Sequence, residues 1–195
     1  LVLDFAVLSV LAKVPLAWEK CGPSVLPKVQ QVIAKRSLAE LVPLLSASVK
    51  CKSTQLGECL ATSALMKTFG AEPSVAMEAL NAMAAGGYGL EGAAMTLRML
   101  HSRAPLEQAA RVLAQLTENW GSHKPGDLVA SWEGILAKVE ELPATCIAHL
   151  AAASAQPSEA PAGALERLST VAKNCMSESG NWNTEDASEF FLTVS

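Results

Sequence analysis

Aromatic and charged residues are scarce in this chain of 195 residues. Only 5% of the residues are aromatic and 17% are charged, whereas half are hydrophobic. Aromatic and β-branched side chains favour strands, while alanine and leucine favour helices, so this composition indicates helix. No stretch alternates between apolar and polar residues for long enough to suggest a strand. We therefore predict an all-α fold, and the chain is long enough to bury a substantial core.

Recognisable catalytic motifs are also missing. The sequence contains no G-x-S-x-G elbow, no Walker loop and no H-E-x-x-H pair. The segment from Gly87 to Gly92 matches G-x-G-x-x-G, but a helical pattern precedes it where a dinucleotide fold needs a strand, so we predict an inter-helix turn. Cys146 and His149 lack the further ligands of a zinc site. We expect no catalytic, cofactor-binding or metal-binding residues and therefore predict that the protein is not an enzyme.

The cysteines and the N-terminal segment bear on the compartment. The five cysteines are odd in number, lie in helical contexts and form no framework of spacings, which favours a reducing, intracellular location. Residues 1–14 are apolar but contain Asp4 and Lys13, which predicts a buried helix rather than a membrane span or a signal peptide. Because the sequence does not begin with Met, we expect it to be part of a longer protein.

A repeated helical pattern is the strongest signal in the chain. Sequences that could open a helical hairpin start at intervals of 36, 32 and 38 residues, and those that could close one start at intervals of 34, 38 and 35. The opening positions are Ser37, Pro73, Pro105 and Pro143, and the closing positions are Leu56, Leu90, Leu128 and Gly163. A step near 35 residues is typical of stacked two-helix repeats. We predict an α-solenoid of about four stacked hairpins.

The repeats divide the chain into three predicted regions. Residues 1–36 would form N-terminal helices that pack on the repeats, residues 37–177 the repeat array, and residues 178–195 the start of a further helix. Within this frame, Gly22-Pro23 predicts a turn before a short helix over 24–35. In the first array helix, Ser37 followed by Glu40 predicts a capping box and Pro43 predicts a kink or restart. Asp127 predicts the cap of a helix that runs to Leu142.

Charge is distributed unevenly. Residues 1–70 carry eight Lys or Arg and four acidic residues, a balance of +4, so the remaining residues carry −8. We interpret five basic residues near consecutive helix ends as a candidate edge for contact with RNA or another anion, and ordinary solvated faces are the alternative. These residues are Lys28, Lys35, Arg36, Lys50 and Lys52.

Two of the four tryptophans share a local context. Trp120 and Trp182 each follow an asparagine in a predicted loop. We interpret them as anchors that pack a loop on the next hairpin, with partner binding or base stacking as the alternative.

The second hairpin resembles a known type of repeat. Its sequence ALNAMAAGGYGLEGAAMTLRMLHSRA combines a helix of small residues, a glycine turn and a second helix that begins Leu-Glu-Gly-Ala-Ala. This pattern resembles the pentatricopeptide, octotricopeptide and RAP-associated repeats over about residues 37–142. The resemblance implies organellar RNA metabolism, either by RNA binding along a groove or by scaffolding within RNA-processing or ribosomal assemblies.

These observations lead to three functional hypotheses. The first is a non-catalytic helical scaffold that binds other protein subunits within a larger mitochondrial RNA-processing or ribonucleoprotein complex. The second is direct binding of single-stranded RNA through the basic residues of the first third. The third is a HEAT- or armadillo-like adaptor unrelated to RNA. None of them requires a cofactor, a small-molecule substrate or a membrane span.

Overall fold

The computed structural model describes residues 4–121, 128–155 and 160–178, without the side chains of 15–23 and 175–178. Within these ranges every regular element is a helix, namely ten α-helices and one short 3₁₀-helix, which confirms the predicted all-α class. The chain divides into two compact units, unit 1 (Leu1–Thr96) and unit 2 (Leu97–Ser195). The predicted helix near the C-terminus, over 185–194, lies outside the described residues.

The first six helices belong to unit 1 or reach its end. They are α1 (Phe5–Leu11), α2 (Pro15–Ala34), α3 (Leu38–Lys50), α4 (Thr54–Thr68), α5 (Pro73–Gly86) and α6 (Leu90–Leu100), and the boundary between the units falls within α6. In unit 1, α1 packs on α2, α2 on α4, and α3 on both α4 and α5. Two pairs of helices that are two apart in the chain, α2 with α4 and α3 with α5, therefore lie side by side.

Unit 2 has the same pattern of neighbours. Its helices are α7 (Leu106–Asn119), α8 (Val129–Leu136), α9 (Ala144–Ala155) and α10 (Ala164–Glu178), with a 3₁₀-helix at Val139–Glu141. Helix α7 packs on α8 and α9, and α10 packs on α8 and α9. Fully buried alanines such as Ala109, Ala148 and Ala151 allow neighbouring helix axes to approach closely.

Several predicted helix signals appear at the predicted residues. Ser37 caps α3 in a complete capping box with Glu40, and Pro73 is the first residue of α5. Gly87, Tyr88 and Gly89 form the predicted inter-helix turn, whereas the rest of the segment, from Leu90 to Gly92, already belongs to α6. Gly87 has a φ of 69°, which glycine adopts without strain, and the Tyr88 N–H donates to the Met83 carbonyl at 2.9 Å to close the end of α5.

Helix α2 corrects one prediction. It runs without interruption from Pro15 to Ala34, so Gly22-Pro23 is not a turn, and both Pro23 and Pro27 lie in the interior of the helix. An interior proline costs about 3 kcal/mol of helix stability because it removes a hydrogen bond and crowds the preceding turn. Packing of α2 against α1 and α4, with Val29 and Ile33 buried, opposes this local preference.

Two further helix predictions concern Pro43 and the segment that ends at Leu142. Helix α3 is continuous through Pro43, so of the two predicted effects the restart is absent. Helix α8 ends at Leu136 and is followed by the 3₁₀-helix instead of continuing to Leu142, and its predicted cap, Asp127, lies outside the described residues. The 3₁₀ turn packs against α10 and buries Val139, so tertiary contacts favour the tighter winding there.

The only tyrosine of the chain joins three helices of unit 1. The buried ring of Tyr88 lies against Gly57 of α4 and Gly86 of α5, at distances that leave no room for a Cβ atom on either glycine. Its hydroxyl donates a hydrogen bond to the Ser48 carbonyl near the end of α3, at 3.2 Å. We name this arrangement the Tyr88 contact.

We predict that Gly57→Ala destabilises the protein by about 1–3 kcal/mol, because the added methyl group would displace a ring that is buried and hydrogen-bonded. Alanine is a better helix former than glycine by up to about 1 kcal/mol, so any loss reflects crowding. Urea unfolding measures the effect. Gly70→Ala is the matched control, since a Cβ there meets no atom within 4 Å. Equal stability of the Gly57→Ala variant and the wild type would contradict the prediction.

Candidate functional site

A surface cleft of about 470 Å³ lies in unit 1, where the start of α3, the end of α4 and the start of α5 meet. Most of its lining is small or apolar. The lining residues are Arg36, Ser37, Leu38, Ala39, Met66, Lys67, Gly70, Ala71, Glu72 and Val75. We name this feature the unit 1 cleft. Its volume lies in the range typical of ligand sites and is large enough for a few side chains of a partner.

The capping box fixes the α3 side of the cleft. The Ser37 N–H donates to Glu40 Oε2 at 2.9 Å, and the Glu40 N–H donates to Ser37 Oγ at 3.4 Å. Because the backbone N–H of Ser37, the Ser37 hydroxyl and Arg36 all stabilise the charged carboxylate, the pKa of Glu40 lies below its usual value of 4.5. This side of the cleft is therefore held in place by local hydrogen bonds.

Arg36 is already engaged by two neighbours. Its Nη1 atom lies 3.1 Å from Glu40 Oε1, and its guanidinium carbon lies 4.5 Å from the centroid of the Phe5 ring. The second contact is a cation–π interaction that connects α1 to the start of α3. Both contacts limit how far Arg36 can turn toward a ligand in the cleft.

Lys67 presents a less engaged positive charge. Its ammonium group donates to the Ala34 carbonyl at 3.0 Å, at the end of α2, where the helix dipole favours a cation. Among the described residues, no carboxylate lies within 4.0 Å of this ammonium. Because an ammonium has three N–H groups, Lys67 retains donors for a further acceptor.

The end of α4 also carries large exposed apolar side chains. Met66, which lines the cleft, is 80% exposed, and Phe69, the C-cap residue of α4, is 59% exposed. On the opposite side of the cleft, Glu72 accepts a hydrogen bond from the Ser74 hydroxyl at 2.9 Å, and Val75 is half-buried. The cleft thus combines a mostly apolar lining with two cations, Arg36 and Lys67, and one carboxylate, Glu72.

The five basic residues selected from the sequence do not form one cluster. Lys35 and Arg36 precede α3, whereas Lys50 and Lys52 lie at its other end. The 13 residues of α3 span about 20 Å, so the expected basic edge is divided into separate groups. The four lysines are exposed, and Arg36 is half-buried.

Of the two tryptophans selected from the sequence, the structure describes only Trp120. Trp120 is fully buried at the end of α7, so its ring lies in the core of unit 2 and not on its surface. Trp182 lies outside the described residues. Trp132 is also fully buried, and its indole N–H donates to Thr117 Oγ1 at 3.2 Å.

Cys146 and His149, which are three residues apart on α9, differ in exposure. Cys146 is buried, and burial raises the pKa of its thiol, whereas His149 is exposed. No group of three or more potential metal ligands occurs among the described residues. In that part of the chain, no helix combines the length and apolarity needed to cross a bilayer.

Sequence reasoning did not identify the cleft or the residues that line its α4 side. In the sequence, Lys67 was counted only in the charge balance of residues 1–70, and Met66 and Phe69 belonged to no recognised motif. The available signal was the run Met66-Lys67-Thr68-Phe69 before Gly70, which places two large apolar residues at a helix end. Such residues are usually buried, so their exposure could be recognised only from the structure.

We predict that Glu40→Gln lowers the free energy of unfolding at neutral pH, and that the difference from wild type narrows as the pH falls. The pKa of Glu40 is lower in the folded state, so the unfolded state binds more protons below pH 4.5 and the stabilisation is lost on acidification. Denaturant unfolding between neutral pH and about pH 3 measures this change. A difference that stays constant over this range would contradict the prediction.

Comparison with known proteins gives no family assignment, because no family model, curated protein or solved structure matches the chain.

Proposed function

We propose that the protein is a non-catalytic helical repeat scaffold that binds other proteins through unit 1. Its arrangement would be an α-solenoid of about four hairpins with a period near 35 residues. The packing of α2 on α4 and of α3 on α5, and of α7 on α9 and of α8 on α10, supports this arrangement. In such arrays each hairpin buries its apolar face against its neighbours, and helix ends remain available for binding.

The exposed pair Met66 and Phe69 carries this proposal. Isolated surface apolar residues are common, but these two lie three residues apart at one helix end, beside the cleft. Methionine and phenylalanine are both enriched at protein interfaces, and the flexible thioether adapts to varied partner surfaces. A protein that covers this surface would therefore gain hydrophobic free energy that folding alone leaves unused.

The larger assembly is proposed from the resemblance of the second hairpin to pentatricopeptide-type repeats. In this proposal the protein is one subunit of a mitochondrial RNA-processing or ribonucleoprotein complex. Cys51, Cys59 and Cys146 are free thiols in the structure, which is the state expected in a reducing compartment. A HEAT- or armadillo-like adaptor with no role in RNA metabolism would use the same surface.

We predict that the double variant Met66→Ser, Phe69→Ser loses its protein partners while it keeps its stability, because both side chains are mostly exposed. Loss of two apolar contacts at an interface typically weakens binding by roughly tenfold or more. Affinity purification of the tagged chain from its own cells, followed by quantitative mass spectrometry, measures the partners retained by each form.

The matched control is Val10→Ser, Met95→Ser, which removes two apolar side chains that are 63% and 64% exposed and do not line the cleft. The control should retain the partners of the wild type. Recovery of the same partners by the double variant, or of none by the wild type, would contradict the proposed function.

Direct binding of single-stranded RNA is the second candidate. It is favoured by the exposure of Lys28, Lys35, Lys50 and Lys52, each of which could contact a phosphate. Arg36 is a poorer contact because it is engaged with Glu40 and Phe5.

For this candidate we predict that neutralising those four lysines to glutamine weakens RNA binding and makes it less dependent on salt. The slope of log affinity against log salt should fall by roughly 0.7 for each phosphate contact that is lost. Filter binding with a mixed-sequence single-stranded RNA provides the measurement. Neutralising four exposed basic residues of unit 2 gives a control of equal net charge: Arg103, Lys138, Arg167 and Lys173. Equal affinities of the two variants would reject the basic residues of unit 1 as an RNA site.

A further inference from the structure

We propose that the unit 1 cleft binds a short segment of a partner protein in which a carboxylate lies close to an apolar side chain. Lys67 would receive the carboxylate, and the apolar side chain would enter the cleft between Ala39, Met66 and Val75. This inference rests on the proposed function and specifies the chemistry of the partner.

The dimensions of the cleft favour a short segment as the occupant. Its volume of about 470 Å³ accommodates a few side chains and not a folded surface. Ala39, Gly70 and Ala71 keep the lining shallow and open, while the exposed side chain of Met66 can fold over an incoming group. The cleft therefore suits a peptide that inserts one or two apolar side chains.

The charges around the cleft favour a carboxylate. Its lining carries two cations, Arg36 and Lys67, and one carboxylate, Glu72. Arg36 already pairs with Glu40 outside the lining, and Glu72 accepts from Ser74 at the start of α5, where the helix dipole favours an acidic group. Lys67 is held by the Ala34 carbonyl and keeps donors for an acceptor of opposite charge.

The position of Lys67 lowers the cost of binding. The hydrogen bond to Ala34 restricts a side chain that would otherwise lose conformational freedom when a ligand arrives. The resulting ion pair would be partly exposed and therefore modest in strength, so the apolar contacts must supply much of the affinity. A carboxylate and an apolar side chain are consequently both required.

A peptide agrees with the lining better than RNA does. No aromatic side chain belongs to the residues that line the cleft, so it offers no platform on which a base could stack. Glu72 would repel a row of phosphates more strongly than the single carboxylate of a peptide. The apolar lining has no role in binding a phosphate backbone.

The test begins with a phage-displayed library of random short peptides selected on the immobilised full chain. Enriched peptides should share an Asp or Glu within a few residues of Leu, Met or Phe. A fluorescein-labelled synthetic copy is then compared with its amide counterpart, in which Asn or Gln replaces the acid, by fluorescence anisotropy. Replacing the acid should weaken binding to the wild type by roughly three- to fivefold, as expected for an exposed charge pair.

The same amide replacement should have little effect on binding to the Lys67→Met variant, because the charge partner is already absent. Lys28→Met is the matched control, since Lys28 is exposed and lies outside the cleft lining. This control should show the full difference between the acid and amide peptides. Met66→Ser should weaken both peptides, whereas Met95→Ser should weaken neither. Thermal unfolding of each variant checks that the fold is retained.

Several results would overturn the proposal. One is the absence of enriched peptides, and another is an equal affinity of acid and amide peptides for the wild type. Displacement of the peptide by single-stranded RNA, dependent on Lys67, would assign the cleft to nucleic acid. Self-association that is abolished by Lys67→Met in sedimentation would assign it to a second copy. Binding without charge dependence leaves the proposed function intact, because the Met66 and Phe69 purification tests that function separately.

Discussion

Tyr88 holds three helices of unit 1 together at one end. Its ring lies against α4 at Gly57 and against α5 at Gly86, and its hydroxyl binds the Ser48 carbonyl near the end of α3. The same carbonyl accepts the N–H of Ser53, which precedes α4. The unit 1 cleft lies at the other ends of these three helices. The Tyr88 contact therefore fixes the spacing of the helices at the ends that are away from the cleft. The cleft can therefore remain open without separating the helices.

Local hydrogen bonds hold the open ends of the three helices. Ser37 and Glu40 cap α3, and Lys67 connects the end of α4 to the last carbonyl of α2. Each contact satisfies a backbone group that a helix end would otherwise leave without a partner. Together they position the charged groups of the cleft before any ligand is present, which reduces the entropy lost on binding.

The sequence predicted the features that depend on neighbouring residues. The Ser37–Glu40 cap and the glycine turn before α6 follow local rules, and both are present. The Gly22-Pro23 turn was also a local prediction, but it was wrong because packing of α2 against other helices opposed the proline preference. The cleft could not be predicted, because Ala39, Lys67 and Val75 meet only after three helices have packed. The length of α3 places the basic residues at its two ends, whereas their spacing in the sequence had suggested one continuous edge.

The core of unit 1 does not include every large apolar side chain of the unit. Much of the core of unit 1 consists of alanine and leucine, and alanine in particular contributes little volume, so the helices pack closely. Met66 and Phe69 are not among the buried residues of α4, and both extend into solvent at the end of that helix. Burying such a side chain typically contributes about 1.5–3 kcal/mol. Folding of unit 1 leaves these two side chains largely exposed, so a partner that covers the end of α4 would gain the free energy of burying them.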